Sequence, residues 1–295
     1  MMKTMRKKRI AVAGSTSAVG RYLIEELKTE YDFIRISRHK NQTDIYTDLS
    51  NNLNTIILPE NVDLLLILSA VTKANNDKEI LHLFDVNVQG TLKLCIRAKE
   101  KGIKKIIYLS SISALSNIYD MGFGYYAISK KNAEDVIKYY CMENEIPLCI
   151  LRPSQIYGDS MSFKKNQPFF YHILEKAWKG EDIYIYGTND ALRNYIYITD
   201  LITVLQNIIE KGVTGTYSVI SPQYVRLSEI AKTAVTIFES PSKIAFLNDK
   251  PSIKDLAHYA VGDIYSILEI DAKQLISLER GMQLIKDNLF SSLHL

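Results

Sequence analysis

Cysteine is scarce: Cys95, Cys141 and Cys149 are too few and too far apart for a disulfide framework or a metal-ligand spacing. They read as reduced core thiols of a cytoplasmic protein. Long apolar runs are missing too, and nothing approaches the ~18 consecutive residues that a membrane span requires. The bases from Lys3 to Arg9 followed by Ile10–Gly14 imitate a secretory signal, but five apolar residues make too short a run. The bases are read as a solubilising tail. Charge of one sign is lacking, since 36 Lys and Arg face 33 Asp and Glu, a net +3. No basic surface for nucleic acid is expected. His39, His82, His172, His258 and His294 show no ligand spacing, so no metal is expected. With 7 prolines and 13 glycines there is no linker-like stretch, and no internal repeat is visible. What remains is an ordinary globular composition, 47% hydrophobic and 23% charged, over enough chain for one large core or two smaller ones.

Short apolar runs alternate with helical patterns in the first half. Strands are expected at 9–14, 32–37, 62–70, 104–111 and 147–154, and helices at 19–28, 79–102 and 125–144. Unbroken apolar strands between helices predict a parallel α/β sheet covered on both faces. Such sheets bind ligands at the carboxyl ends of their strands. After about residue 160 the segments shorten and mix, which predicts a smaller, discontinuous second lobe. The expected division is 1–160 for the dinucleotide-binding part and 161–295 for a mainly substrate-binding lobe, some of whose segments return to the sheet.

Three stretches carry chemistry. The first turn, "AGSTSAVG", has Gly14 and Gly20 at the outer positions of a phosphate-binding glycine pattern, with Ser17 at the middle one. A glycine turn kept for packing only is the alternative. The second strand ends "ISRHK", basic where an acid would bind the ribose of NAD. Ser37 and Arg38 therefore favour NADP(H), with Arg38 on the 2′-phosphate; a solvated basic loop is the other reading. Third, "YLSS" ends a strand, and "YYAISKK" follows with Tyr126 and Lys130 one helical turn apart. A free phenol, pKa near ~10, is a poor base at neutral pH. A neighbouring ammonium favours the phenolate, and a serine hydroxyl can bond a carbonyl oxygen during hydride transfer.

Together these motifs resemble the short-chain dehydrogenase/reductase superfamily, in particular its extended group of sugar-nucleotide epimerases, dehydratases and reductases. The likeness continues through "TDLS" (47–50), "LSA" (68–70), "NVQGT" (87–91), "LRPSQIYG" (151–158), "RNYIYITDL" (193–201) and "SLERGMQLIKD" (277–287). It implies a Rossmann-type doubly wound sheet with a smaller C-terminal substrate lobe. By the resemblance, Tyr126 is the acid/base, Lys130 binds the nicotinamide ribose, and Ser111 polarises the substrate, with Ser113 the competing serine. Cofactor contacts are implied for Gly14, Ser17, Ala18, Val19, Gly20, Ser37, Arg38, Asp48, Leu49, Ser69, Ala70, Asn87, Ser110, Tyr126, Lys130 and Pro153. Substrate contacts are implied for Ser111, Gln155 and Arg193, the last on a nucleotide diphosphate.

Three departures stand out: Ser17 for the middle glycine, Gln155 where many relatives have asparagine, and a short segment between Ser111 and Tyr126 without the usual tyrosine-glycine loop. Ser111 is followed by Ile112 and Ser113, not by the Asp-Glu pair of similar 4,6-dehydratases, so elimination is not expected. The resemblance points to an NADPH-dependent reductase of a keto-sugar nucleotide of the 4-keto-6-deoxy type, NAD(H) remaining open as cofactor. An NAD-dependent nucleotide-sugar epimerase and a non-catalytic dinucleotide-binding regulator are the alternatives. A nucleotide-sugar is the expected small-molecule partner; no nucleic acid or membrane is expected, and a homodimer is left open. The 19 tyrosines are assigned mainly to strand propensity, and Trp178 to packing ahead of a substrate lid.

Overall fold

The computed structural model describes residues 6–291; Lys3, the first base of the N-terminal tail, and His294 lie outside the described residues. In chain order the first half runs β1 (Arg9–Ala13), α1 (Ala18–Leu27), β2 (Asp32–Ser37), β3 (Ile45–Tyr46), β4 (Leu64–Ile67), α2 (Asp77–Phe84), α3 (Thr91–Glu100), β5 (Ile106–Leu109), α4 (Tyr125–Glu143) and β6 (Leu148–Pro153). There follow β7 (Gln155–Tyr157), α5 (Pro168–Lys179), β8 (Ile183–Tyr186), β9 (Leu192–Tyr197), α6 (Ile198–Lys211) and β10 (Gly215–Val219). The chain continues with β11 (Tyr224–Arg226), α7 (Leu227–Ile237), β12 (Ile244–Leu247), α8 (Ile264–Leu268) and α9 (Leu278–Ile285).

Two compact units emerge. The first holds the chain up to Leu115, Phe123–Arg152 and Gly212–Tyr217; the second holds Ser116–Gly122, Pro153–Lys211 and residues from Ser218 onward. A seven-stranded sheet of order β10-β6-β5-β4-β1-β2-β3 organises the first. Its pairs β1/β2, β1/β4, β2/β3, β4/β5 and β5/β6 are parallel. Strands β4 and β5 are buried at every residue, as the unbroken apolar runs require for a sheet covered on both faces. Each fully buried aliphatic side chain contributes roughly 1.5–3 kcal/mol. The order in which strands are added reverses between β1 and β4, so the crevice for a ligand opens above their carboxyl ends.

One expected element is divided. The helix predicted over 79–102 is α2 and α3 joined by a π-helical turn, Asp85–Gly90. The wider turn carries Asn87 into the interior, where it is 1% exposed. Gly102, with φ +65, then ends α3 by a Schellman arrangement: its N–H bonds the Lys99 carbonyl, and that of Ile103 bonds Ala98.

The second unit contains the three-stranded sheet β11-β9-β7 and the two-stranded sheet β12-β8. Several of the many tyrosines serve its core. Tyr157 packs edge-on against Phe170, Tyr195 and Tyr197, with centroids 5.1–5.8 Å apart. Trp178 packs on Phe290 at 5.3 Å. Among the described residues no helix is long and apolar enough to cross a membrane.

Candidate active site

The carboxyl ends of the parallel strands in the first unit gather most of the residues that the sequence motifs mark. Gly14 closes β1 with φ +91, and a Cβ there would lie 2.6 Å from the Ser69 amide nitrogen after β4. At Gly20 a Cβ would meet the Gly14 carbonyl oxygen at 2.5 Å. Both positions thus need glycine for close backbone approach. Ser17 does not: at φ −68 and ψ 163 it is extended, and its side chain caps α1 by accepting from the Gly20 N–H at 3.0 Å. A serine N-cap stabilises a helix by ~1 kcal/mol relative to alanine. The middle glycine is therefore dispensable in this turn. Ala18 and Val19, in the first turn of α1, leave backbone N–H groups at the positive end of the helix dipole. That cradle fits the pyrophosphate of a dinucleotide.

At the end of β2, Ser37 is buried, and its hydroxyl accepts from the His39 N–H at 3.0 Å; Arg38 is exposed. Near it lies Asp48, whose burial works against ionisation. Hydrogen bonds from Ser50 and the charges of Arg38 and His82 still hold that carboxyl below its ordinary value. Leu49 is buried beside it, while Ser69 and Ala70 follow β4 at the surface of the crevice.

The Asn87 side chain is engaged at both ends by the protein itself. It accepts from the Val71 N–H and donates to the Val71 carbonyl, each at 2.8 Å, and donates to Ser129 Oγ at 2.9 Å. Ser129 in turn donates to the Tyr126 carbonyl at 2.8 Å. A residue implied to touch cofactor is, in this geometry, a brace between the loop after β4 and the first turn of α4.

Tyr126 is the second residue of α4, and the Ser111 side chain stands beside its phenol. Ser111 Oγ accepts from the Ser113 N–H at 3.1 Å. Burial pushes the Tyr126 phenol up to about 12, with Ser111 opposing it. Lys130 is 2% exposed and points at β5, not at the phenol: its Nζ donates to Leu109 O at 2.8 Å and to Tyr108 Oη at 3.1 Å. Desolvation lowers its pKa to about 7, against the raising effect of Glu134. The expected lowering by the ammonium does not arise: burial sets the phenol, Ser111 is what opposes it, and the phenol stays protonated at neutral pH.

That shift has a measurable consequence. Lys130 has a folded pKa of about 7, below its ordinary 10.5, so the unfolded chain holds the extra proton between these values. Stability should rise with pH across that window, by up to about 1.4 kcal/mol per pH unit. Lys130→Met should therefore show its best thermal midpoint relative to the unaltered protein at pH 6, an advantage shrinking by pH 9. A midpoint difference independent of pH would contradict a desolvated lysine.

Glu134, Arg152 and Tyr108 join this cluster, although the sequence motifs gave them no role. Glu134 is fully buried one turn beyond Lys130 and accepts from Ser110 Oγ at 2.6 Å and from Arg152 Nε at 2.9 Å, with Arg152 Nη2 also bonded. The repeat Tyr126, Lys130, Glu134 at four-residue intervals is a visible signal for the glutamate. Arg152 and Tyr108 lie within the stretches LRPSQIYG and YLSS, but no spacing points to their roles, because their partners lie on another element.

Pro153, Gln155 and Arg193 fall in the second unit. Pro153 is buried at the end of β6. Gln155 donates from Nε2 to Gln167 at 3.0 Å, and its buried Oε1, like Ser154 Oγ, has no hydrogen-bond partner among the described residues. Arg193 on β9 is 6% exposed, with Nη1 on the carbonyls of Leu192 at 2.7 Å and Lys254 at 3.0 Å. No group of three or more His, Cys, Asp or Glu among the described residues could hold a metal ion.

Known proteins share this architecture. Human dTDP-D-glucose 4,6-dehydratase is 24% identical over 285 residues, covering 83% of this chain and 80% of its own. The structure of RMD from Pseudomonas aeruginosa, complexed with NADPH, superposes with a TM-score of 0.80 at 16% identity, covering 97% of this chain and 100% of its own. UDP-glucose 4-epimerase from Thermotoga maritima, with UDP-glucose, reaches 0.77 at 18% identity, covering 97% and 99%. The family model for NAD dependent epimerases and dehydratases matches residues 10–220, more than half of the chain. With its glycine turn, its doubly wound sheet and that match, the chain belongs to the NAD dependent epimerase/dehydratase family of sugar-nucleotide enzymes.

Proposed function

We propose that this protein is an NADP(H)-dependent reductase of a nucleotide-linked keto-sugar, of the 4-keto-6-deoxy type. The observation that carries the reading is the Tyr126 phenol, held protonated by burial beside Ser111, with Lys130 one turn onward. A bound NADPH supplies the hydride. Tyr126 holds a proton at Oη for the carbonyl oxygen as it gains charge, and Ser111 offers that oxygen a second hydrogen bond. An acid is what reduction asks of this tyrosine; oxidation of a sugar hydroxyl would require the phenolate first.

Three further features support it. Ser37 and Arg38 stand where an acid would serve NAD. Ile112 and Ser113 stand where similar dehydratases carry the Asp-Glu pair for elimination. The unpartnered Gln155 Oε1 suits a sugar hydroxyl, and Arg193 is assigned to the diphosphate.

The test is incubation with NADPH and UDP-4-keto-6-deoxy-D-glucose or its dTDP counterpart, followed by product chromatography. One NADPH consumed per 6-deoxyhexose formed is the expected result. Interconversion of UDP-glucose with its 4-epimer, without net NADPH use, would make the protein an epimerase instead. Cofactor choice is tested separately. Arg38→Asp should weaken NADPH binding by about tenfold or more, because a charge-assisted contact to the 2′-phosphate is lost and a repulsion gained. Fluorescence titration with both cofactors reads this, and tighter binding of NADH than of NADPH by the unaltered protein would refute the assignment.

A further inference from the structure

We propose that Tyr108 is a positioning residue for the reaction, holding the Lys130 side chain in place through both its hydroxyl and its ring. The inference rests on the reading of Tyr126 and Lys130 given above. Lys130 Nζ lies 3.1 Å from Tyr108 Oη and 4.4 Å from the centre of its ring, while the Leu109 carbonyl takes a second proton at 2.8 Å. An ammonium has three N–H donors. Strand β5 takes up two of them, and the third is what the lysine has to give to a ligand.

Packing alone does not ask for this hydroxyl. Tyr108 is 0% exposed in an otherwise aliphatic strand, where phenylalanine would fill nearly the same volume without a polar atom to desolvate. The hydroxyl also has a polar neighbour on its other side. Thr91 of α3 stands beside the phenol and donates to the Asn87 carbonyl at 2.7 Å. A chain of contacts thus runs from the π-helical turn through Thr91 and Tyr108 to Lys130.

The charges around the lysine are few. Tyr108 faces it from β5, and Tyr126 and Glu134 flank it on α4. Cys95 of α3 stands behind Tyr108, and Arg152 of β6 is engaged by Glu134. Glu134, shared with Arg152 and with Lys138 at 3.8 Å, favours the protonated lysine through its charge alone, without touching Nζ. The neutral phenol is the group that meets Nζ directly and favours its protonated form.

The variant to make is Tyr108→Phe, which keeps the ring and deletes the acceptor. NADPH affinity should weaken about three- to tenfold, the worth of one hydrogen bond. Its loss with rising pH, read by fluorescence titration from pH 6 to 9, should begin about half a pH unit or more lower, because the ammonium is less well supported. The thermal midpoint should change little. A purely structural tyrosine would leave both affinity and pH limb where they are, and that result overturns the proposal. Should Tyr108→Phe fail to fold, a tyrosine fluorinated beside the hydroxyl at this position keeps the shape and weakens the acceptor. The same downward movement of the limb is expected there, and an unmoved limb again overturns the proposal. Lys130→Met separates the two levels. Normal NADPH affinity in Lys130→Met would remove the underlying reading, whereas weak binding there with unchanged Tyr108→Phe would remove only this inference.

Discussion

Replacing Tyr126 by phenylalanine is expected to lower turnover of the keto-sugar by roughly 10²-fold or more, with NADPH affinity and thermal midpoint close to those of the unaltered protein. The substitution deletes one oxygen, and that oxygen stands beside Ser111, two residues past β5. Tyr125 is the internal control. It is 51% exposed, and adjacent residues of a helix point about 100° apart, so it cannot take its neighbour's place. Tyr125→Phe should cost far less than Tyr126→Phe. Steady-state rates for both variants, with melting curves as the control for folding, decide the matter. Wild-type turnover in Tyr126→Phe would leave the Tyr126–Lys130 pair a packing feature of α4 with no part in the chemistry.

Glu134→Gln should cost about 3–5 kcal/mol of stability, because it breaks a buried charge pair from one side. The glutamate is fully buried, and Arg152, whose side chain is 15% exposed, meets it with two nitrogens. Glutamine has nearly the same shape but leaves the guanidinium without a counter-charge where water cannot replace it. The pair itself is another matter, since two charges taken from water recover little more than their desolvation. The double variant Glu134→Leu with Arg152→Met should therefore regain most of the loss. Urea unfolding midpoints of the single and double variants test this. If Glu134→Gln unfolds at the wild-type urea concentration, the two side chains do not form a buried charge pair. Ser110 gives the loss a route to the site: its hydroxyl bonds Glu134, and its neighbour Ser111 stands beside the Tyr126 phenol.

Local pattern was sufficient for β1, β2, β4, β5 and β6 and for most helices of the first half, while the two-residue β3 left no such pattern. The run DFIRIS is β2 residue for residue, and the helix expected over 125–144 is α4, Tyr125–Glu143. Buried parallel strands are legible because both faces must be apolar, and helices because their apolar positions recur each turn. The division of the 79–102 helix was not legible, because a π-helical turn changes the hydrogen-bond ladder without changing the composition. Ser17 looks like a defect in a glycine pattern and is an N-cap, a distinction that only backbone angles make.

The order of strands along the chain, the glycine turn and the serine, tyrosine and lysine of the site follow from short-range spacing, and the sequence by itself determined them. Which groups surround those residues was decided by tertiary structure. Lys130 meets Tyr108 22 positions away, and Glu134 meets Arg152 across 18. Asn87 reaches Ser129 over 42 positions. Contacts of that kind leave no periodic trace, because each depends on how one element packs on another. The protonation of Tyr126 and Lys130 belongs with them, since desolvation is a property of the whole surrounding and has no local spelling.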